Sequence, residues 1–447
     1  MKKIRIGSGA GYAGDRLEPA LELIEKGDIN YISFECLAER TIAIAQQEKL
    51  KNPSKGYNGL LEYRMDKVLP LAWEKKVKII TNMGAANPVA GAEVIAKIAK
   101  EKGIKGIKIA AVIGDDVLEK MGKYKDAIVW ETGEALERLD GEIISANAYL
   151  GAEGIVEALR NGADVVITGR VADPSIFMAP LVYEFGWSFD DYELLGKGTL
   201  VGHLLECGGQ ATGGYYAEPG KKDVPMVAKL GFPIAEVTED GNFVITKVED
   251  AGGMVTRHTL TEQLIYEIHD PANYLTPDVN ADFSKVEFNE IGKDLVKVTG
   301  ASGKEKTDSF KVSIGYKDCF IGEGEISYGG PGAYERGILA ADIVKERLEI
   351  RGIKVDEIKY DLIGVNGLYW NNDKNYMRSE EVRLRVAART KDKSIASIIG
   401  DEVETLYTNG PAGGGGATKR VSEIISVASV LIPKEEVHYE VKIQEVN

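Results

Sequence analysis

Between Asn82 and Cys207 the chain gathers side chains suited to acid–base work and anion binding. Two β-rich runs, Ile143–Ser145 and Asp164–Thr168, end in polar loops, with Asn147 after the first and Arg170, Asp173 and Ser175 after the second. In a parallel sheet, loops at strand C-ends converge on one edge, where ligands bind. Arg170 carries a planar fork of donors matched to a carboxylate or phosphate, with an ion pair to Asp173 as its structural alternative. The segment Thr81–Pro88 offers the amides of Asn82 and Asn87 to a carboxylate or carbonyl; both could equally serve the turn and cap the following helix. His203, Glu206 and Cys207 stand at i, i+3 and i+4, so a helix would put them on one face. In the catalytic assignment Asp173 and His203 are base and acid, Glu206 orients the histidine and Cys207 is a neighbour. The structural alternative is a buried cysteine beside a histidine–glutamate pair at a helix end.

Two glycine loops extend the search. Gly9, Gly11 and Gly14 form a GxGxxG pattern after a strand, and Glu35 closes the next strand, where a dinucleotide fold places its ribose acid. Asp15 and Glu18 would set carboxylates beside a pyrophosphate, and Pro19 forces any helix to start close to it, which argues for a plain turn or a different ligand loop. The run Asn409–Lys419, with glycines at 413–416, could form an anion-binding nest or a hinge, and it lacks the Lys-Ser/Thr of a P-loop. Cys36, Cys207 and Cys319 are scattered without a CxxC. They fit a reducing compartment and leave an open iron–sulfur cluster as a minor alternative. The leading reading requires no cofactor; NAD(P) and iron–sulfur are the alternatives, and the spacing leaves a metal undecided.

Short β-branched runs alternate with amphipathic ones up to about Lys197. The strands expected are Ile4–Ile6, Tyr31–Phe34, Lys78–Thr81, Ile107–Val112, Ile143–Ser145 and Val165–Thr168. The helices expected between them include Leu37–Leu50, Leu60–Trp73, Ala90–Lys102 and Ala152–Asn161. This is an α/β pattern: an N-terminal, mostly parallel sheet covered by helices, open and doubly wound, with a partial barrel as the competing closure. The glycine-rich stretch 208–224 suggests a boundary. Residues 1–220 would then form a parallel α/β domain carrying most of the site, and 221–447 an α+β domain with a glycine-rich loop near 410–416. In the second half the sequence predicts a hairpin over Pro233–Val248, a helix over Arg257–His269 and antiparallel strands over Lys285–Ile326. It then predicts helices at Tyr334–Ile350, Ser394–Tyr407 and Ala417–Val430, and strands near Tyr360–Val365, Val382–Thr390 and His438–Ile443.

The 447 residues suffice for two cores, and 44% hydrophobic with 28% charged residues is ordinary for a globular chain. A net charge of −15 without long single-sign runs repels phosphate backbones and anionic lipid, so neither nucleic acid nor membrane is expected as a partner. The N-terminus lacks the apolar core of a secretory signal, and a cytoplasmic location is expected.

The motifs GSGAGYAGDR, FECLAERT, TNMGAANP, GADVVITGRVADPS, GHLLECGGQATGG, GEISYGGPGAYERG and GPAGGGG together resemble the acyclic terpene utilisation (AtuA) family across nearly the whole chain. The resemblance implies a pathway for branched terpenoid acids handled as CoA thioesters, without assigning catalytic residues. Many relatives continue into a C-terminal domain of ferredoxin-like topology, whereas this sequence ends at Asn447. A short form of that kind is expected to self-associate as a homo-oligomer and to work with a separate small subunit. The function expected is proton transfer on a small carboxylate or its CoA thioester, by a hydratase, dehydratase or isomerase. The alternatives are an NAD(P)-dependent oxidoreductase using the GxGxxG loop and a noncatalytic acyl-CoA-binding subunit.

Overall fold

The runs Tyr31–Phe34 and Val165–Thr168 are mostly apolar and buried without alternation, the signature of strands covered on both faces. In the computed structural model, which describes residues 2–369 and 379–447, they lie inside a ten-stranded sheet. The strands are β1 (Lys3–Ala10), β2 (Tyr31–Phe34), β3 (Lys78–Thr81), β4 (Lys108–Ile113), β5 (Glu142–Ala148), β6 (Val165–Thr168), β7 (Pro233–Thr238) and β8 (Phe243–Lys247). They continue as β9 (Tyr274–Leu275), β10 (Asn280–Asp282), β11 (Glu287–Gly292), β12 (Leu295–Thr299), β13 (Ser302–Lys304) and β14 (Ser309–Gly329). The last four are β15 (Glu357–Ile363), β16 (Glu381–Thr390), β17 (Gly415–Pro433) and β18 (Glu440–Glu445). The helices are α1 (Glu18–Lys26), α2 (Glu39–Lys51), α3 (Leu61–Lys75), α4 (Pro88–Glu101), α5 (Glu153–Arg160) and α6 (Ser175–Phe185). After them come α7 (Tyr192–Leu205), α8 (Arg257–Ile265), α9 (Ala333–Ile350), α10 (Lys393–Glu404) and α11 (Leu406–Asn409).

The described residues form two compact units. The first comprises 1–139, 144–315 and 427–447, and the second comprises 140–143 and 316–426. The glycine-rich stretch 208–224 therefore runs inside the first unit, and the hairpin β7–β8 continues that unit's sheet beyond β1.

In the first unit the sheet order is β11-β12-β8-β7-β1-β2-β3-β6-β4-β18, an open row and not a closed barrel. Its centre, β1-β2-β3-β6-β4, is parallel throughout, and both flanks join antiparallel. Alternating side chains feed two cores. Ile32, Phe34, Ile79, Ile109 and Ile167 pack with α1, α3 and α4; Tyr31, Ile80, Ala110, Val112 and Val166 pack with α5, α6 and α7. In α4 this is visible residue by residue. Asn87 caps the helix, Pro88 takes its first turn, and Ala92, Ile95, Ala96 and Ala99 fall on the buried face.

The expected sixth parallel strand is a correction. The run Ile143–Ser145 does form β5, but β5 pairs with β14 and stays outside the parallel row. Its apolar residues satisfy either sheet equally, and the choice rests on a strand far away in sequence.

The second unit runs β14, α9, β15, β16, α10, β17, with spatial order β15-β16-β14-β17. Counted within the unit this is order 2-3-1-4 in a βαββαβ chain, a ferredoxin-like topology. Ile326, Tyr328, Leu384 and Val386 face α9 and α10, which contribute Ala340, Val344, Ile399 and Val403. Polar residues of β14, β15 and β16 carry ion pairs, Arg385 to Glu323 (2.6 Å) and Asp361 (3.2 Å), and Arg389 to Asp318 (2.5 Å). The helix expected over Ala417–Val430 is a second correction, since this segment is β17. Thr418, Val421, Ile424, Ile425, Val427 and Val430 are β-branched, and the unit's topology needs a strand here.

Candidate functional site

Glu35 ends β2 and Asn82 follows β3, so neighbouring parallel strands deliver them side by side. Asn82 is fully buried; its Nδ2 donates to Glu35 Oε1 (2.9 Å), and its Oδ1 accepts the amide of Cys36 (2.7 Å). The amide of Leu37 donates to the same Glu35 oxygen (2.9 Å). Burial pushes the Glu35 carboxyl up to about 8, Asp173 pushes in the same direction, and Arg170 opposes both.

Arg170 follows β6 and is only 1% exposed. Its Nε donates to Val171 O (2.9 Å), its Nη1 to Leu37 O (2.5 Å), and its Nη2 to Val171 O (2.5 Å) and to the carboxylate of Asp173. The guanidinium lies 4.5 Å from the ring centre of Tyr149. Four of five donors are spent inside the chain, and one Nη1 hydrogen remains. Asp173 keeps its side chain 36% exposed, and burial raises its pKa against the pull of Arg170. Tyr149 donates its hydroxyl to Glu39 Oε1 (2.5 Å), which Lys311 also approaches (3.1 Å). Together these partners overcome burial and hold Glu39 down at about 2.

Behind Arg170, Asp115 Oδ2 accepts both the amide of Arg170 (2.9 Å) and Nδ2 of Asn147 (2.9 Å). Asn147 Oδ1 is buried without a partner. Burial raises Asp115 to about 6. The folded state therefore holds this proton more tightly than the unfolded chain. The stabilisation is full below the ordinary aspartate value near 4 and is lost as pH rises through 6. Asp115→Asn keeps an oxygen able to accept both bonds, so its stability should be flatter between pH 4 and 6 by on the order of 2 kcal/mol. Urea midpoints at several pH values measure this, and parallel curves for the two proteins would refute it.

His203 and Glu206 meet as their spacing suggests. His203 Nδ1 lies 2.8 Å from Glu206 Oε1, and its Nε2 lies 3.0 Å from the carbonyl of Leu264. The carbonyl must accept, so Nε2 carries a proton. The ring is 1% exposed and stacks on Phe283, with centres 5.9 Å apart. Both ring nitrogens are engaged, and the pair reads as a buried strut between α7 and α8. Burial raises Glu206 to about 7. Glu206 and Asp173 interact by charge, which places this turn near the Arg170 group. Burial also pushes the Cys207 thiol up, away from the reactive thiolate form.

Asn87 stands apart from this group. It caps α4 and donates Nδ2 to the carbonyls of Pro53 (2.9 Å) and Lys55 (2.8 Å). Gly9 packs on Phe34, and the amide of Gly11 donates to Asp15 Oδ2 (2.9 Å). A Cβ on Gly11 would sit 2.3 Å from the Cys207 carbonyl carbon, so this glycine is needed for backbone contact. Gly14 precedes α1 by several residues and meets the ring of Tyr12. A loop whose central amide is taken by its own carboxylate fits a packed turn better than a pyrophosphate cradle. Cys36 accepts from Arg64 Nη1 (3.2 Å), and among the described residues no three His, Cys, Asp or Glu side chains are grouped to hold a metal ion. The donor set for an iron–sulfur cluster is not assembled there.

The family model described as acyclic terpene utilisation family protein AtuA matches residues 4–443. The chain belongs to the AtuA family. No curated protein and no solved structure gave a match. Sequence reasoning missed three residues of the cluster around Arg170, namely Glu39, Tyr149 and Asp115. Only Glu39 had a signal, its place in FECLAERT. Among the described residues, no helix of this AtuA protein is long and apolar enough to cross a membrane.

Proposed function

We propose that this AtuA protein is an enzyme that transfers a proton on a CoA thioester or its small parent carboxylate, as a hydratase, dehydratase or isomerase. The observation that carries the reading is the pair Glu35 and Asp173, two part-exposed carboxyl groups held around one buried guanidinium. A carboxyl pushed up to about 8 holds and gives a proton near neutral pH, while Asp173, against Arg170, offers a second acid–base group. In this reading Glu35 takes the role that spacing gave to His203, whose nitrogens are both engaged.

The thioester is the better substrate of the two. Arg170 retains one free hydrogen and Asn82 is committed to Glu35 and Cys36, so no open cation faces the carboxyl pair. A free carboxylate would enter among Glu35, Asp173 and Glu206, whereas a thioester carbonyl brings no charge and accepts one hydrogen bond. The test is proton exchange in D2O, followed by NMR on short and branched acyl-CoA thioesters and their free acids. Deuterium is expected at the carbon beside the thioester carbonyl. Saturable binding with neither exchange nor turnover of any compound would leave the noncatalytic acyl-CoA-binding reading in its place.

A further inference from the structure

The ends of β2 and β3 lie in register, Phe34 beside Thr81, so the residues that follow, Glu35 and Asn82, leave the sheet side by side. Thr81 ties the two exits together: its Oγ1 donates to Phe34 O (3.1 Å) and accepts the amide of Met83 (3.1 Å). Two residues beyond Asn82, Gly84 runs so close to β6 that a Cβ there would stand 2.5 Å from Thr168 O. Asn82 is therefore fixed from both sides, with no exposed surface. Its amide has one possible orientation. The Cys36 amide can only donate, so the atom 2.7 Å from it is Oδ1, and the atom 2.9 Å from Glu35 Oε1 is the donor Nδ2.

The Leu37 amide donates to the same carboxyl oxygen (2.9 Å), so both donors that reach Glu35 from the described residues meet Oε1 and neither meets Oε2. An oxygen that accepts two N–H bonds is the carbonyl oxygen of the protonated acid, because a hydroxyl there would turn its hydrogen toward two other donors. The hydroxyl is left to Oε2. The kind of donor matters as well. A lysine or arginine in place of Asn82 would hold the same oxygen and drive the carboxyl to ionise, whereas a neutral amide orients it and leaves burial in control of the proton.

We propose that Asn82 is a positioning residue for the proton transfer assigned to Glu35: with the Leu37 amide it holds Oε1 as acceptor and sets the transferable proton on Oε2. The role rests on the proton-transfer reading, and its test separates the two. Neutron diffraction from crystals of the unaltered protein in D2O, well below the Glu35 midpoint, should show a deuteron on Oε2 and an Asn82 Nδ2 deuteron directed at Oε1. This measurement needs no variant, so it decides even where a substitution at a buried site fails to fold. Asn82→Leu, of nearly the same shape and without a donor, should lower kcat for deuterium incorporation on the order of 10²-fold. KM should change little, because Asn82 is fully buried and acts through Glu35. Asn82→Asp still accepts the Cys36 amide and regains a donor only when its own carboxyl is protonated. Its rate relative to the unaltered protein should therefore recover as pH falls, and that of Asn82→Leu should not. A residue serving only the turn would show neither the kcat loss at constant KM nor the recovery. A deuteron on Oε1, or Asn82→Leu exchanging at the unaltered rate while Glu35→Gln is inactive, would overturn the positioning role and leave the proton-transfer reading standing. Unaltered exchange in Glu35→Gln would overturn both.

Discussion

Replacing Arg170 with methionine should cost about 3–5 kcal/mol of folding free energy, the range for removing one partner from a buried ion pair. From its place in a loop after a strand, Arg170 reads as a hand reaching for a ligand, and its loss would then leave the fold intact. The structure reverses that expectation. The side chain is 1% exposed, ties Leu37 to Val171 through its own hydrogen bonds, and faces Asp173 directly. Without the guanidinium, Glu35, Asp173 and Glu39 confront one another, with Lys311 beside Glu39. The folded pKa values of Glu35 and Asp173 would climb further above the unfolded ones and that of Glu39 would rise from its low value, so the stability deficit should widen as pH rises through the range where they ionise. Adding Asp173→Asn should recover part of it by removing one charge. Urea midpoints of the single and double variants from pH 5 to 8 measure both effects. A single variant within about 1 kcal/mol of the unaltered protein, the size of an exposed pair, would show that Arg170 is a surface group.

What the sequence disclosed follows from which interactions are local. The strands Tyr31–Phe34, Lys78–Thr81 and Val165–Thr168 end where their composition says they should, because central parallel strands are apolar on both faces and stop where polar loops begin. Asn87-Pro88 is likewise local: a capping side chain before a first-turn proline is a helix start whatever surrounds it. The contact of His203 with Glu206 came from three-residue spacing. The histidine's other nitrogen, by contrast, meets the carbonyl of Leu264 on α8, a partner some sixty residues on that no local pattern reveals. Distance in sequence also hid the pairing of β5 with β14, and with it Tyr149, which stands at the end of β5 with Lys311 of β14 as neighbour. Over Ala417–Val430 the apolar spacing suited either a helix or a strand, and the ferredoxin-like sheet decided it. Glu35 was found for a reason the structure does not support. Its distance from the glycine loop suggested a ribose, while its neighbours are Asn82, Leu37 and the Arg170 group.

Glu35→Gln should lower turnover by about 10²–10⁴-fold, the usual contribution of a positioned acid or base, while leaving a folded protein. The substitution is close to isosteric, and the amide oxygen can still accept from Asn82 Nδ2 and from the amide of Leu37. What it removes is the titrating proton. A carboxyl raised to about 8 in the folded state, against an ordinary value near 4.5, favours folding fully below the lower value and loses that contribution as pH rises through the upper one. Glutamine is neutral throughout, so the variant should gain on the unaltered protein between pH 5 and 8, ending more stable at alkaline pH despite its lost activity. That pairing separates a catalytic role from a structural one, because a residue needed for packing would lose stability and activity together. The measurements are urea midpoints across pH and the rate of deuterium incorporation into the thioester. If the variant exchanges at the unaltered rate, Glu35 is not the proton carrier and Asp173 becomes the group to replace next. If both proteins show the same stability curve, the carboxyl is not perturbed by burial, and its role near neutral pH loses its physical basis.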